Sequence, residues 1–256
     1  MSSTTGARAV RLAWAAAGTV LLIVAWSILA AFYPSILLPS PLEVVAALCS
    51  LAASGELARE LATTVWRLLV AFALGGGLGI ALGLAGGRAA PLAALLRPIM
   101  AVLAGVPPIS WLALALIWFG TGSLAPIVVA WLVAMPAVFV ATLEGMRALD
   151  RDLADMARAF GLQRLDMLRE VYLPALTPHL LSGLSTAAAL TVRVGVMGEF
   201  LASSTGVGSA MALARTRLET AEVLAWVVVA LGLLMLAEGL LLRPLARRAA
   251  AWRKEG

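Results

Sequence analysis

Charge is the first thing this sequence has little of. Only 13% of its 256 residues are Asp, Glu, Lys or Arg, where a soluble domain carries roughly a quarter. A soluble fold of this length could bury a large core, but it would still need a charged surface that this chain cannot furnish. Cysteine is scarcer still. Cys49 alone excludes an internal disulfide and a cysteine-rich metal site. His179 is the only histidine and follows Pro178, which argues against a zinc site or a histidine-based triad and leaves an interfacial structural role. Ser203 and Ser204 have no base nearby in sequence to activate them. The only lysine, Lys254, lies in the C-terminal tail, so no glycine-rich phosphate loop followed by a lysine is available.

What is present is apolar. Hydrophobic residues make up 62% of the chain, with a mean hydropathy of +0.99. Bilayer hydrocarbon about 30 Å thick is crossed by roughly 20 apolar residues in a helix. Six segments meet that length: about Leu12–Phe32, Ala62–Ala85, Leu95–Phe119, Leu124–Met146, His179–Leu201 and Val223–Leu242. The expected fold class is therefore all-α, a polytopic membrane protein with about six transmembrane helices forming one domain over residues 1–256. Arg8 and Arg11 precede the first segment in the manner of a secretory signal, but its apolar stretch is too long for one and reads as an uncleaved span.

The net charge of +5 does not point to nucleic acid, because the basic residues fall between and after the apolar runs instead of forming a basic domain. They read as topology signals. Arg8, Arg11, Arg88, Arg97, Arg147, Arg151, Arg158, Arg164, Arg169, Arg243, Arg247, Arg248, Arg253 and Lys254 fall on one side of the six spans. Arg59, Arg67, Arg215 and Arg217 fall on the other, and Arg193 lies inside a span. Both termini are accordingly expected in the cytoplasm.

Gly75, Gly79, Gly83 and Gly87 recur every four residues in the second span and form a stripe suited to close helix packing. Pro107 and Pro108 interrupt the third span and Pro136 sits in the fourth. Broken helices at membrane depth occur where protein or a watery cavity satisfies the freed carbonyls, so Pro107 and Pro108 are candidates for a translocation path, with a plain structural kink as the alternative. Arg193, Glu199 and Glu238 fall within or at the edge of spans, where an unpaired charge costs about 2.5 to 3.5 kcal/mol on insertion scales. Arg193 either meets an anionic substrate in a path or pairs with another helix. Six residues separate it from Glu199, too poor a match of faces for a pair within one helix. Glu199 joins Pro107, Pro108 and Arg193 as a candidate for the translocation path and is expected near its outer mouth, with Glu238 at the cytoplasmic interface.

Residues 150–174 are too charged to enter lipid. Leu149, Leu153, Met156, Ala157 and Phe160 recur at helical spacing, while Asp150, Arg151, Asp152, Asp155 and Arg158 take the other faces. Gly161 follows as a helix cap, Leu165, Leu168 and Tyr172 continue on a second short helix, and Pro174 is expected to stop it. The pattern alone also suits an interfacial helix lying on lipid headgroups. Its residues match a family, however. Asp155-Met156-Ala157, three residues, Gly161, nine residues and then Val171-Tyr172-Leu173-Pro174 resembles the EAA loop of ABC importer permeases. Departures are Asp for Glu at Asp155, Met for Ala at Met156 and Val for Ile at Val171. Leu38-Pro39-Ser40-Pro41-Leu42-Glu43-Val44, Val106-Pro107-Pro108-Ile109-Ser110-Trp111-Leu112 and Gly198-Glu199-Phe200-Leu201 with Gly206-Val207-Gly208 are similar to the nitrate, sulfonate and taurine type of that family. Members often have proline where Ala113 stands and a tryptophan near Val192.

The resemblance implies a permease of the MetI-like fold in the bacterial inner membrane, performing no covalent chemistry. It implies that Asp155, Met156, Ala157, Gly161, Val171, Leu173 and Pro174 form the loop coupling it to an ABC ATPase. It further implies two copies of that ATPase carrying ATP and magnesium, with no cofactor on this chain. A second permease copy forming a homodimer, an extracytoplasmic solute-binding protein and the lipid bilayer complete the partners, and no nucleic acid is among them. The rivals are a secondary transporter or channel driven by an ion gradient and an intramembrane enzyme. The first would show internal repeats and several intramembrane acidic groups, and the second a nucleophile and base at membrane depth.

Overall fold

The structure is a computed structural model and describes residues 3–149, 166 and 172–252. Among these residues all regular structure is helical, in the order α1 (Ser3–Ala30), α2 (Pro41–Ala53), α3 (Glu56–Arg88), α4 (Ala90–Gly105), α5 (Pro108–Phe119), α6 (Leu124–Arg147), α7 (Leu173–Ala202), α8 (Val207–Thr216) and α9 (Thr220–Trp252). Five of the described helices are long and apolar enough to cross a membrane: α1 through Ala13–Ala30, α3, α6, α7 and α9 through Thr220–Gly239. The α4–α5 pair supplies a sixth span if its two halves are counted together, and it is bent by 93° at the break. Five to six candidate spans are thus present where about six were expected. The third is broken at Pro107 and Pro108, the N-cap and first residue of α5, because each proline lacks an N–H and disfavours helical backbone in the residue before it, and with two in succession Val106 and Pro107 are both extended.

The chain divides into two compact units. One contains residues 3–58 and 211–228 of the described chain. In it, the indole N–H of Trp26 donates to the carbonyl of Pro39 at 3.0 Å, which ties the end of α1 to the connection ahead of α2. Helix α2 starts on a capping box: the backbone N–H of Glu43 donates to the Ser40 hydroxyl, and the Ser40 N–H donates to the Glu43 carboxylate at 2.7 Å. With the Ser35 hydroxyl donating as well, at 2.9 Å, these bonds hold the Glu43 carboxyl below its ordinary value of 4.5, the Ser40 backbone bond being the main cause. Thr220 closes this unit by donating its hydroxyl to the Ile36 carbonyl at 2.5 Å.

The other unit contains residues 59–210 and 229–252 of the described chain, and α6 lies at its centre. Val129, Ala130, Val133, Ala134, Val138 and Phe139 of α6 are buried. Helix α3 lies on α6 through the glycine stripe. A methyl group built on Gly75 would come within 3.3 Å of the Ala134 Cβ, on Gly79 within 2.8 Å of the Val138 Cβ, on Gly83 within 2.5 Å of the Thr142 Cβ, and on Gly87 it would collide with Met146. Backbone contact of this kind holds helices together in lipid, where burial of apolar surface gives little net drive. Small residues of α7 do the same from another side, with Gly183 against Ala141 and Gly198 against Pro126. Pro136 is buried within α6, which runs through it without a break. Pro174 stands in the first turn of the 30-residue α7, where the N–H it lacks would have had no intrahelical partner; the short helix it was expected to stop lies outside the described residues.

Candidate functional site

Three polar residues occupy one face of α3 near its start: Glu60, Thr64 and Arg67, spaced by four and three residues so that they stack along the helix. All are buried, with exposures of 7%, 0% and 4%. Opposite them, near the end of α7, is Glu199, 1% exposed. The Arg67 Nη1 donates to the Glu199 Oε1 at 2.8 Å and to the Thr205 carbonyl at 2.6 Å. Its Nη2 donates to the hydroxyls of Thr205 at 2.7 Å and Ser123 at 2.9 Å, and its Nε to Ser123 at 3.1 Å. Every N–H of the guanidinium thus has an acceptor.

The second Glu199 oxygen accepts from the Thr64 hydroxyl at 2.7 Å and from the Gly208 N–H at 3.2 Å. Thr64 in turn accepts from the Val207 N–H at 2.8 Å, and Glu60 accepts from the Gly206 N–H at 2.5 Å. Arg59 balances Glu60 with an Nε–Oε1 contact of 2.9 Å. The amides of Gly206, Val207 and Gly208 open α8, so the start of that helix is capped by side chains of α3 and α7 rather than by its own sequence. Two carboxylates at a helix start also suit its positive end. Gly206 is required because its φ is +103° and a side chain there would run into the Glu199 carboxylate. The loop after α5 joins the same assembly, with the Gly122 N–H donating to the Ala202 carbonyl at 2.8 Å.

The structure separates the sequence candidates. Glu199, expected near an outer mouth, is buried and ion-paired, and Arg67, read as a charge marking one side of the membrane, is its partner inside α3. The pair had a sequence signal, a polar face at Glu60, Thr64 and Arg67 on an apolar span, but no spacing links it to a residue 132 positions away. Arg193 is not paired with Glu199. It is exposed on α7 and makes no ion pair among the described residues. Ser182 and Thr186 are exposed on the same helical face, four residues apart with Arg193 seven further on. Pro107 and Pro108 mark the bend between α4 and α5, Glu238 is exposed on α9, and His179 is half-buried near Gly145.

An apolar cleft of about 550 Å³ lies between α3, α7 and α9, lined among others by Leu68, Phe72, Ala188, Val192 and Leu236. Asp155, Met156, Ala157, Gly161 and Val171 of the expected coupling loop lie outside the described residues, while Leu173 and Pro174 open α7. Among the described residues no three His, Cys, Asp or Glu side chains cluster as metal ligands would.

Long apolar helices, with a sharply bent pair among them, joined by glycine contacts and a buried ion pair, define an all-helical protein of the polytopic membrane class. The chain belongs to the family of binding-protein-dependent transport system inner membrane components, whose pattern it matches over residues 75–251. It is 35% identical over 184 residues, 72% of this chain and 70% of the other, to a permease protein of Escherichia coli (strain K12) assigned to aliphatic sulfonates transport. It is 32% identical to the riboflavin transport system permease protein of Chloroflexus aurantiacus, covering 82% of this chain and 81% of that one. With the taurine transport system permease protein of Escherichia coli (strain K12) the identity is 30%, over 92% and 88% of the two chains. A solved structure of the MetNI methionine ABC transporter in an inward-facing conformation has the same fold, with a TM-score of 0.54 and 20% identity over 73% of this chain and 93% of that one. The protein is thus an ABC importer permease of the MetI type, a transport subunit and not an enzyme.

Proposed function

We propose that the chain works as one permease domain, paired with a second copy of itself, that carries a small anionic solute into the cytoplasm by alternating access. The observation that carries the substrate part of this reading is the exposed face of α7 bearing Ser182, Thr186 and Arg193. A guanidinium facing hydrocarbon is strongly disfavoured, so this face belongs against a second copy or a watery path, where its positive charge meets an anion. Sulfonates and taurine, named for two of the relatives, bear an anionic group.

In this reading an extracytoplasmic binding protein delivers the solute, and two ATPase subunits holding ATP and magnesium grip residues 150–174. Asp155, Met156, Ala157 and Gly161 stand at or beside the grip, and Val171, Leu173 and Pro174 join it to α7. Closure of the ATPases then moves the spans as rigid bodies between outward-open and inward-open states. Both termini and residues 150–174 face the cytoplasm, in keeping with the excess of arginine on that side. The test is ATP-driven uptake of nitrate, taurine and alkanesulfonates by vesicles holding the complete complex. Uptake blocked by vanadate and lowered about tenfold or more in Arg193→Gln, with the complex still assembled, supports the reading. Full uptake by the variant would remove Arg193 from the path, and uptake of riboflavin alone would remove the anion.

A further inference from the structure

The geometry points to the Arg67–Glu199 assembly as a permanent clamp. It makes the adjoining ends of α3, α6 and α7 and the first turn of α8 into one block that stays closed through the transport cycle, so that the path opens by movement of the block as a whole. Only the existence of a cycle is taken from the function proposed above.

Three observations carry the inference. First, the buried centre of the assembly, Arg67, Glu199 and Thr64, is taken up by bonds within the chain. All the guanidinium N–H groups of Arg67 are engaged, both oxygens of Glu199 accept, and the Thr64 hydroxyl both donates and accepts. A polar site that binds an anion in turn keeps a free donor, and Arg67 and Thr64 keep none. Second, the bonds run between elements rather than within them. Arg67 of α3 reaches Ser123 ahead of α6, Glu199 of α7 and Thr205 ahead of α8, so parting α7 from α3 would strand two charges that are 4% and 1% exposed. Third, the backbone is fitted around the charges. A side chain at Gly206 would strike the Glu199 carboxylate, and one at Gly208 would strike the Val196 carbonyl. A joint that opened in each cycle would gain nothing from so close a fit. Arg193 is the contrast, exposed on α7 and unpaired among the described residues.

The clamp makes Arg67, Glu199 and Thr64 positioning residues, and one guanidinium nitrogen shows where to test them. Because Nη2 bridges the hydroxyls of Ser123 and Thr205 at 2.9 and 2.7 Å, Ser123→Cys with Thr205→Cys brings two thiols within reach of a short bifunctional thiol reagent while keeping the Arg67–Glu199 pair. In native membranes holding the whole transporter, crosslinking should reach the same yield without nucleotide and after trapping with ATP and vanadate. The crosslinked transporter should hydrolyse ATP within about twofold of the same variant left uncrosslinked. A yield that falls about fivefold on trapping, or hydrolysis stopped by the crosslink, overturns the clamp. Arg193→Cys, crosslinked between copies, is the comparison, since its yield should change on trapping if α7 lines a moving path. Absence of any trapped state would count against the importer cycle instead, and hydrogen exchange then judges the clamp without nucleotide. The amides of Gly206, Val207 and Gly208 should exchange about a hundredfold slower than that of Ser204, and Thr64→Val should speed them about tenfold. Exchange at the rate of Ser204 in the unaltered protein overturns the clamp.

Discussion

Replacing Arg67 by methionine removes one partner of the buried pair and leaves the other in place. Glu199 would retain the Thr64 hydroxyl at 2.7 Å and the Gly208 N–H at 3.2 Å, but lose its ion pair with Arg67 at 1% exposure. Stranding a buried charge in this way costs about 3 to 5 kcal/mol. In the same step the Ser123 hydroxyl would lose its Arg67 donors, and the Thr205 carbonyl would keep only the Ser203 hydroxyl. The double variant Arg67→Met, Glu199→Leu removes both charges, and swapping a buried pair for apolar groups is often close to neutral. It still strands the Thr64 hydroxyl and the Gly208 N–H, each worth about 1 to 3 kcal/mol when left unsatisfied. The double variant should therefore be less destabilised than the two single losses added together, with a coupling of about 1 to 3 kcal/mol. Equilibrium unfolding of the purified permease in detergent micelles measures all four corners of the cycle. A loss under about 1 kcal/mol for Arg67→Met, or strictly additive losses, would refute the reasoning that this pair is buried and shared among α3, α7 and α8.

Further expectations follow from the packing and the caps. Gly83→Leu should destabilise by about 1 to 3 kcal/mol or more through overpacking of α3 on Thr142, whereas the same change at Gly77, which has open space around it, should be tolerated; unfolding midpoints of the two variants decide this. Gly206→Ala should cost about 1 to 3 kcal/mol from its left-handed backbone alone and should reduce the yield of folded protein in membranes. The capping bonds favour the ionised form of Glu43, so they support the start of α2 above its unfolded pKa, near 4.5, and that support is lost as pH falls through the lower folded value. Glu43→Gln should accordingly speed hydrogen exchange at the start of α2 at neutral pH and make little difference at a pH low enough to protonate the carboxyl; an equal effect at both pH values would contradict the cap.

The spans were legible because length and apolarity suffice to mark them, and the break at Pro107 and Pro108 because proline has few other readings inside such a run. The four-residue glycine repeat announced a close helix contact but not which helix would fill it, since Ala134, Val138 and Thr142 of α6 look like any other small residues of a span. That α7 begins at Leu173 rather than near His179 was not legible, because proline suits a first turn as well as a stop. The ionic clamp was illegible. Arg67 and Glu199 are far apart in the chain, and an arginine near a span end ordinarily marks topology. Helix α8, of ten residues, escaped notice because its cap is supplied by α3 and α7 and its own sequence carries no capping side chain.

The coupling of this permease to a nucleotide-driven partner is the claim on which the function rests, and it can be measured without knowing the solute. The complex should be isolated from native membranes through a tag on this chain and assayed for vanadate-sensitive ATP hydrolysis, beside a Gly161→Trp variant. The account predicts that an ATPase accompanies the unaltered chain and is lost or uncoupled in the variant. Recovery of no ATPase activity, or full activity and uptake in Gly161→Trp, would contradict it.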